Sequence, residues 1–366
     1  MAERSAISFR IADASDEPDV RRLLRENPME GPLHISLERE PDVFASDFGL
    51  ARAHHFVVAR DNQSGQLVGV CERVVMAVHV NGTAQCVPYI GGLRVARSHR
   101  NRVAILRGGF AELRAIQERD DTPRYAFTSI SQDNAVALRI LSAGVRGLPA
   151  YAPLGSLATT VIASRRAKAA DGEAASARDL ASCATRWNSD HQFGAAWTET
   201  EVHELETKGL PPGNRMLFSR GSSVAGSIAL WDQRSHRQAV IRHLPPVMAA
   251  LRPFYNALSR ITQRPPLPAP GLPMSVGVAS HFSWADGDQQ TFLRLVGAAL
   301  AMAHHMGLAA VAFGFAAGSR SHQLLQLHFP RAMEFRTRFF SVVWPEDRHC
   351  LPTFDGRALH PELGLL

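Results

Sequence analysis

The stretch that decides the reading is Leu93 to Glu118, LRVARSHRNRVAILRGGFAELRAIQE. It opens as the end of a buried strand, turns tightly through a run of arginines, and continues as an amphipathic helix. Val103, Leu106, Phe110, Leu113 and Ile116 recur at three- and four-residue steps, the spacing of one helical face. Arg97, His99, Arg100 and Arg102 crowd the turn and the helix start. Helices favour acids at that end, because their unpaired N–H groups and macrodipole make it positive. Basic side chains there oppose the dipole. A phosphate held by those N–H groups resolves the conflict.

Upstream, Phe56 to Arg60 and Gln66 to Val80 read as strands joined by the turn Asp61-Asn62-Gln63-Ser64-Gly65. Asn81-Gly82 is a strong hairpin signal, so Thr83 to Val95 is expected to return antiparallel. Before them, Ile7 to Ala12 reads as a strand and Asp16 to Glu26 as a helix ended by Asn27-Pro28. Gly31 to Asp42 is expected as a loop with one short extended piece. Downstream, Tyr125 to Ile130 is a strand, Asp133-Asn134 cap a helix from Ala135 to Ala143, and Gly144 stops it. Ser156 to Ala163 closes this half as a β-branched strand.

Ser164 to Arg178 has almost no large apolar residue and reads as a linker, dividing the chain into segments 1–163 and 179–366. The second segment echoes the first. Met216 to Arg220 and Val224 to Trp231 repeat the hairpin, and Met274 to Phe282 the central strand. Asp288 to Met306 is its helix and Ala309 to Phe315 the next strand, with Ser321 to His328 and Arg336 to Trp344 completing the echo. An added helix, Val247 to Ile261, and a proline-rich connection, Arg264 to Pro273, interrupt it.

At 366 residues the chain suits two domains, and 45% hydrophobic residues can build their cores. No run approaches the ~18 apolar residues needed to cross a bilayer. The start, MAERSAISFR, carries no signal-peptide core, so a cytoplasmic protein without a membrane partner is expected. Cys71, Cys86, Cys183 and Cys350 are scattered and form no CxxC, which argues against zinc or a disulfide framework. The pairs His54-His55 and His304-His305 read as packing or surface residues, since neighbours on a helix face apart. Asp286-Gly287-Asp288 reads as a turn and helix cap, without the ligand series of a calcium loop. No metal is expected. A net charge of +6 suits an anionic partner, but nucleic acid is not expected because no recognition motif accompanies the charge.

The order strand, helix, hairpin, long central strand, arginine turn, helix, strand, helix over residues 5–162 resembles the GNAT superfamily of acyl-CoA-dependent N-acetyltransferases. The superfamily's pyrophosphate loop, Arg/Gln-x-x-Gly-x-Gly/Ala, follows a strand ending in hydrophobic-x-Val. Here Leu93-Arg94-Val95 matches the strand end and Arg100-Asn101-Arg102-Val103-Ala104-Ile105 the loop. The arginine matches, while Val103 and Ile105 stand where the superfamily has glycines. β-Branched side chains there crowd a phosphate. Charged hydrogen bonds from neighbouring arginines, roughly 1.5–3 kcal/mol each, offset part of that. A second marker, Asn-x-x-Ala before a helix ending in Gly, appears as Asn134, Ala137 and Gly144. Asn134 resembles the asparagine that contacts the pantetheine arm.

The resemblance implies a mixed α/β fold of two GNAT-like domains, each a central twisted, mostly antiparallel sheet flanked by helices. It also implies acetyl-CoA as co-substrate and a small-molecule or protein amine as acceptor; whether the chain forms a homodimer stays open. In that chemistry the amine attacks the thioester while a backbone N–H near Leu93 to Val95 polarises its carbonyl. The position of the superfamily's glutamate base is Tyr89 here, and Glu72 on the preceding strand is the nearest carboxylate by topology. The position of its tyrosine acid is Leu141, which leaves Tyr151 or a water to protonate the thiolate. Glu38-Arg39-Glu40-Pro41-Asp42, where the superfamily's acceptor site opens, reads as a salt-bridged loop.

In the second segment, Phe282 to Gln289 stands where the loop would be, without an arginine and with Asp286 and Asp288 in place. That half is expected to have lost cofactor binding and to cover or shape the acceptor site. Two functions follow: an N-acetyltransferase working in the first segment, or a catalytically impaired GNAT-like module that binds acyl-CoA or a partner protein.

Overall fold

The structure, a computed structural model, describes residues 6–29, 31, 33–44, 51–100, 102–166, 172–221, 223–262, 264–285 and 287–366. The first segment lays down strands β1 (Ile7–Ile11), β2 (His34–Glu38), β3 (Ala51–Asp61), β4 (Leu67–Val80), β5 (Thr83–Val95), β6 (Tyr125–Ser131) and β7 (Ala150–Ala163). Its helices are α1 (Glu17–Glu26), α2 (Val103–Arg119) and α3 (Ala135–Ser142). The second segment adds strands β8 (Glu173–Ala174), β9 (Arg215–Arg220), β10 (Ser223–Trp231), β11 (Gln238–His243), β12 (Val276–Trp284), β13 (Ala310–Ala316) and β14 (Met333–Val343). Its helices are α4 (Ala177–Asn188), α5 (Glu199–Glu204), α6 (Pro246–Thr262), α7 (Gln289–His305) and α8 (Arg320–His328).

The strongest local signals hold. Asn81 and Gly82 both take positive φ, 52° and 83°, the geometry of a two-residue turn that matches strand twist. β4 is buried along nearly its whole length, as a strand covered on both faces must be, and its sequence is correspondingly apolar. The short extended piece expected between Gly31 and Asp42 is β2. It pairs with β11 rather than with the main sheet, Ser36 opposite Val240.

Twelve strands form one sheet in the order β1-β3-β4-β5-β6-β14-β7-β13-β12-β10-β9-β8. The pairs β5–β6 and β12–β13 are parallel and the other pairings antiparallel, as in the mostly antiparallel sheet expected. The two segments share this sheet. β14 lies between β6 and β7, with Phe340 opposite both Thr128 and Pro153, and β7 pairs onward with β13. Beneath the sheet, α2 presses Phe110, Leu113 and Ile116 against Val57, Ile130 and Phe340. α7 does the same for the second segment, with Phe292 and Leu295 against Ile228, Phe282 and Phe313. Phe127, Phe193, Phe339 and Leu359 belong to a third core to which both segments contribute.

Several readings need correction. The stretch read as linker ends in ordered structure: Glu173–Ala174 pairs with β9, and α4 begins at Ala177 because Ser176 accepts from the Asp179 N–H at 3.1 Å. Residues 167–171 lie outside the described residues. The composition of 164–178 concealed that cap. His54 and His55 sit on β3, not on a helix, so they face apart by strand alternation. α4, α5 and β11 were not expected. Thr198 and Glu201 form a capping box that announces α5. No helix among the described residues is long and apolar enough to cross a membrane, and no group of His, Cys, Asp and Glu among them is arranged to hold a metal.

Candidate active site

The site begins with a fault in the β4–β5 pairing. Glu72 faces Gly91 but Val70 faces Arg94, so β5 carries an extra residue between them. Such a bulge bends its strand and re-aims the backbone. Gly92 takes φ +62° there, a conformation that side chains avoid. On its other edge β5 pairs with β6 only at Tyr89–Phe127 and Ile90–Thr128. Thr128 Oγ1 fixes the last contact, donating to the Ile90 carbonyl at 2.6 Å. Past that point, on that edge, β5 has no strand partner.

A cavity of about 140 Å³ occupies the opening. Leu93, Arg94 and Val95 line it from β5, Ile105, Phe110 and Leu113 from α2, and Cys71 from β4. Asn134, Leu141 and Tyr151 close it from the far side. Gly109 on α2 keeps it open, since a Cβ there would meet nothing within 4 Å.

Val95 and Ile105 in the cavity wall flank the arginine turn along the chain. A short 3₁₀ turn, Arg97–His99, precedes α2, whose N-cap residue Arg102 makes no side-chain cap and whose first turn has no acid. The N–H groups of Val103 and Ala104 have no protein acceptor among the described residues. The two β-branched residues are placed differently from each other. Ile105 is buried against Ile7, Ala59 and Val68, in space left by Gly69, where a Cβ would stand 3.3 Å from Ile105 Cγ2. Val103 is exposed. Arg100 and Arg102 are exposed at the rim, and Asn101 lies outside the described residues. Arg94 is half-buried in the wall and donates to the Leu93 carbonyl at 2.8 Å. Burial, and then the charge of Arg100, push its guanidinium down to about 10, so it stays a cation at neutral pH. Asn134 caps α3, accepting from the Ala137 N–H at 3.0 Å.

The three expected acid–base residues surround the bulge without sharing one role. Glu72 lies behind it: a Cβ on Gly92 would stand 3.5 Å from Glu72 Oε2. Arg39 donates to this carboxylate. His54 Nε2 lies 2.8 Å from Glu72 Oε1, in ion-pair range though off the line of a good hydrogen bond. Burial pushes the Glu72 carboxyl up, but the Arg39 charge and His54 together outweigh it and hold the group down to about 2. Tyr89 packs its ring 5.1 Å from Phe127 and shares a 2.7 Å hydrogen bond with Ser129; burial pushes its phenol up. Tyr151 lines the cavity edge-on to Phe340, and burial pushes its phenol well above the usual range. Its hydroxyl has no hydrogen-bond partner among the described residues. None of the three is poised near neutrality.

Sequence reasoning missed the partners that fix this centre. Half-buried Arg237 donates to the backbone oxygens of Gly364 at 2.9 Å and Leu366 at 2.8 Å; desolvation, then Arg39, push it down to about 10. The loop read as salt-bridged is so. Arg242 holds Glu38, Arg21 and Arg25 hold Glu40, and Arg39 reaches Glu72. The doublet Gly91-Gly92 inside a strand was the legible signal for the bulge. In the second segment the start of α7 is capped by Asp288, which accepts from the Thr291 N–H at 3.0 Å. An anionic side chain already fills that position.

No protein-family profile and no curated protein matches the chain. Solved structures do. N-myristoyltransferase of Saccharomyces cerevisiae, with bound myristoyl-CoA, aligns at a TM-score of 0.60 and 11% identity over 93% of this chain and 84% of that one. A GCN5-related N-acetyltransferase from Sphaerobacter thermophilus aligns at 0.58 and 10% identity over 93% of this chain and 97% of that one. Identities this low speak for shape alone, yet the coverage runs through both segments. The chain therefore has the GNAT fold, in two joined halves.

Proposed function

We propose that the chain is an acyl-CoA-dependent N-acyltransferase working in segment 1–163, in which an acceptor amine attacks the donor's thioester directly at the Gly92 bulge. One conjunction carries this reading: a bulged, half-paired strand, an apolar cavity against it, and an uncapped helix start beside Arg100 and Arg102. The thioester carbonyl oxygen would accept from backbone N–H groups of the bulge, which are fixed before the reaction. The pyrophosphate would accept from the N–H groups of Val103 and Ala104 and from the side chains of Arg100, Asn101 and Arg102. Segment 179–366 would cover the acceptor side.

Glu72, held down to about 2, is too weak a base to deprotonate an amine. The acceptor then enters as its free base, and orientation supplies the rate. Tyr89 and Tyr151 keep their protons at neutral pH, and Tyr151 can hydrogen-bond the departing thiolate. Burial pushes the Cys71 thiol up to about 12, which leaves almost no thiolate to form an acyl-enzyme. Cys71→Ser is accordingly expected to retain turnover, read as free-thiol release from acyl-CoA in the presence of amines. Complete loss in a folded Cys71→Ser protein would point to a covalent route.

Acetyl is the donor group that the resemblance to N-acetyltransferases implies. The apolar inner wall of Cys71, Phe110, Leu113 and Leu141 supports a longer chain, and the yeast N-myristoyltransferase structure holds myristoyl-CoA. Each methylene that enters such a wall contributes about 0.8 kcal/mol, or roughly fourfold in affinity. KM should therefore fall stepwise from acetyl-CoA through longer acyl-CoAs until the cavity is full. A KM lowest for acetyl-CoA would restrict the donor to acetyl. Thiol release with a panel of amines tests the reaction itself. Binding of acyl-CoA without release under any amine would favour the impaired module, a reading that the missing near-neutral base supports.

A further inference from the structure

α6 is built inside out. Its polar residues face the protein: Asn256 both donates to and accepts from the Leu267 backbone at 2.9 Å, and Tyr255 donates to the Pro265 carbonyl at 3.4 Å. Val247, Leu251 and Phe254, spaced as one helical ridge, are left 69%, 56% and 66% exposed, with Met248 beside them. Fixed by its polar side, the helix cannot roll the ridge inward without breaking the Asn256 clamp. Exposed apolar ridges of this kind mark contact with a partner or a membrane.

The surroundings identify the charge of the occupant. No Asp or Glu occurs between Asp232 and Asp286; of the arginines in that stretch, Arg234 pairs with Asp232, Arg242 with Glu38 and Arg237 with the backbone of Gly364 and Leu366, which leaves Arg252 and Arg264 without an acidic partner among the described residues. Against the polar side of α6 lies a cavity of about 750 Å³ lined by Asn256, Ser259, Arg165, Arg264, His328 and Arg331, with no acidic residue among the described residues of its wall. Among the described residues the Arg264 guanidinium donates to a backbone carbonyl, that of Arg331 at 3.3 Å, and Arg165 stacks over Phe329 at 5.5 Å. A second copy would set the same arginine cavity against this one. The apolar ridge and the arginine cavity together match a surface that offers acyl chains beside phosphates.

We propose that α6 seats in the surface of a bilayer containing anionic phospholipid, with the Val247–Leu251–Phe254 ridge at the acyl boundary and the arginine cavity taking headgroup phosphates. No helix among the described residues is long and apolar enough to span a bilayer, and a helix lying in its surface needs no such length. Co-sedimentation of the full chain with vesicles of phosphatidylcholine mixed with phosphatidylglycerol, against phosphatidylcholine alone, tests it. Binding is expected only to the anionic vesicles, weakening with added salt. The double variants Leu251→Glu/Phe254→Glu and Arg264→Glu/Arg331→Glu should each lower it by about tenfold or more, with thermal unfolding midpoints near that of the parent. No binding to anionic vesicles, or binding that both folded variants retain, would overturn the proposal. So would a concentration-dependent dimer that the ridge variant abolishes, because the ridge would then belong to a second copy.

Discussion

Replacing Glu72 by alanine is expected to cost the fold roughly 3–5 kcal/mol, the usual loss when one partner of a buried ion pair is removed. The reason is local. Glu72 is 6% exposed and faces Arg39, itself 8% exposed, with Arg237 close enough to act on both. Without the carboxylate, buried Arg39 loses its counter-charge while the like charge of half-buried Arg237 still acts on it. Glu72→Gln keeps hydrogen-bond capacity and should fall between. The pH dependence carries a definite sign. The folded group titrates at about 2, against an ordinary 4.5. Its stabilisation is full above about 4.5 and is lost as pH falls through 2, roughly 3 kcal/mol in all. Urea unfolding of parent and Glu72→Gln at neutral and acid pH reads this directly. The gap between them should narrow in acid. A Glu72→Ala protein within about 1 kcal/mol of the parent would mean that Arg39 finds another partner.

Charge reversal at the rim should have the largest effect on ligand. Arg100→Glu removes a charged hydrogen bond worth roughly 1.5–3 kcal/mol and adds repulsion, so acyl-CoA should bind about a hundredfold more weakly or worse. Because Arg100 is exposed, the unfolding midpoint without ligand should barely move. The upward shift of that midpoint with acyl-CoA, which follows mass action, should vanish at concentrations that saturate the parent. Arg100→Gln should lose about tenfold. Unchanged binding by Arg100→Glu would move the phosphate site elsewhere.

Local chemistry made much of this architecture legible. Asn81-Gly82 fixed a hairpin because its two residues tolerate positive φ, and the helical ridge from Val103 to Ile116 located α2 and hence the cavity floor. The resemblance implied that Arg94, Ile105, Asn134 and Tyr151 share one site, and all four line the cavity. What stayed hidden depends on contacts across long separations. The place of β14 between β6 and β7 is written in no local pattern, since Phe339 and Phe340 would read the same in any buried strand. The pairing of β2 with β11 joins Ser36 to Val240, and Arg39 meets Glu72 from a loop that its own sequence shows only as charged. Ile105 looked like an obstruction to phosphate; Gly69, on another strand, is what gives it room in the core.

The most direct test is calorimetric titration of the chain with acyl-CoA, followed by thiol measurement with and without an amine acceptor. One acyl-CoA per chain is expected, with no thiol released until the amine is added and release thereafter matching amide formed. Two acyl-CoA molecules per chain, or thiol released before any amine is present, would contradict a single site working by direct attack at the Gly92 bulge.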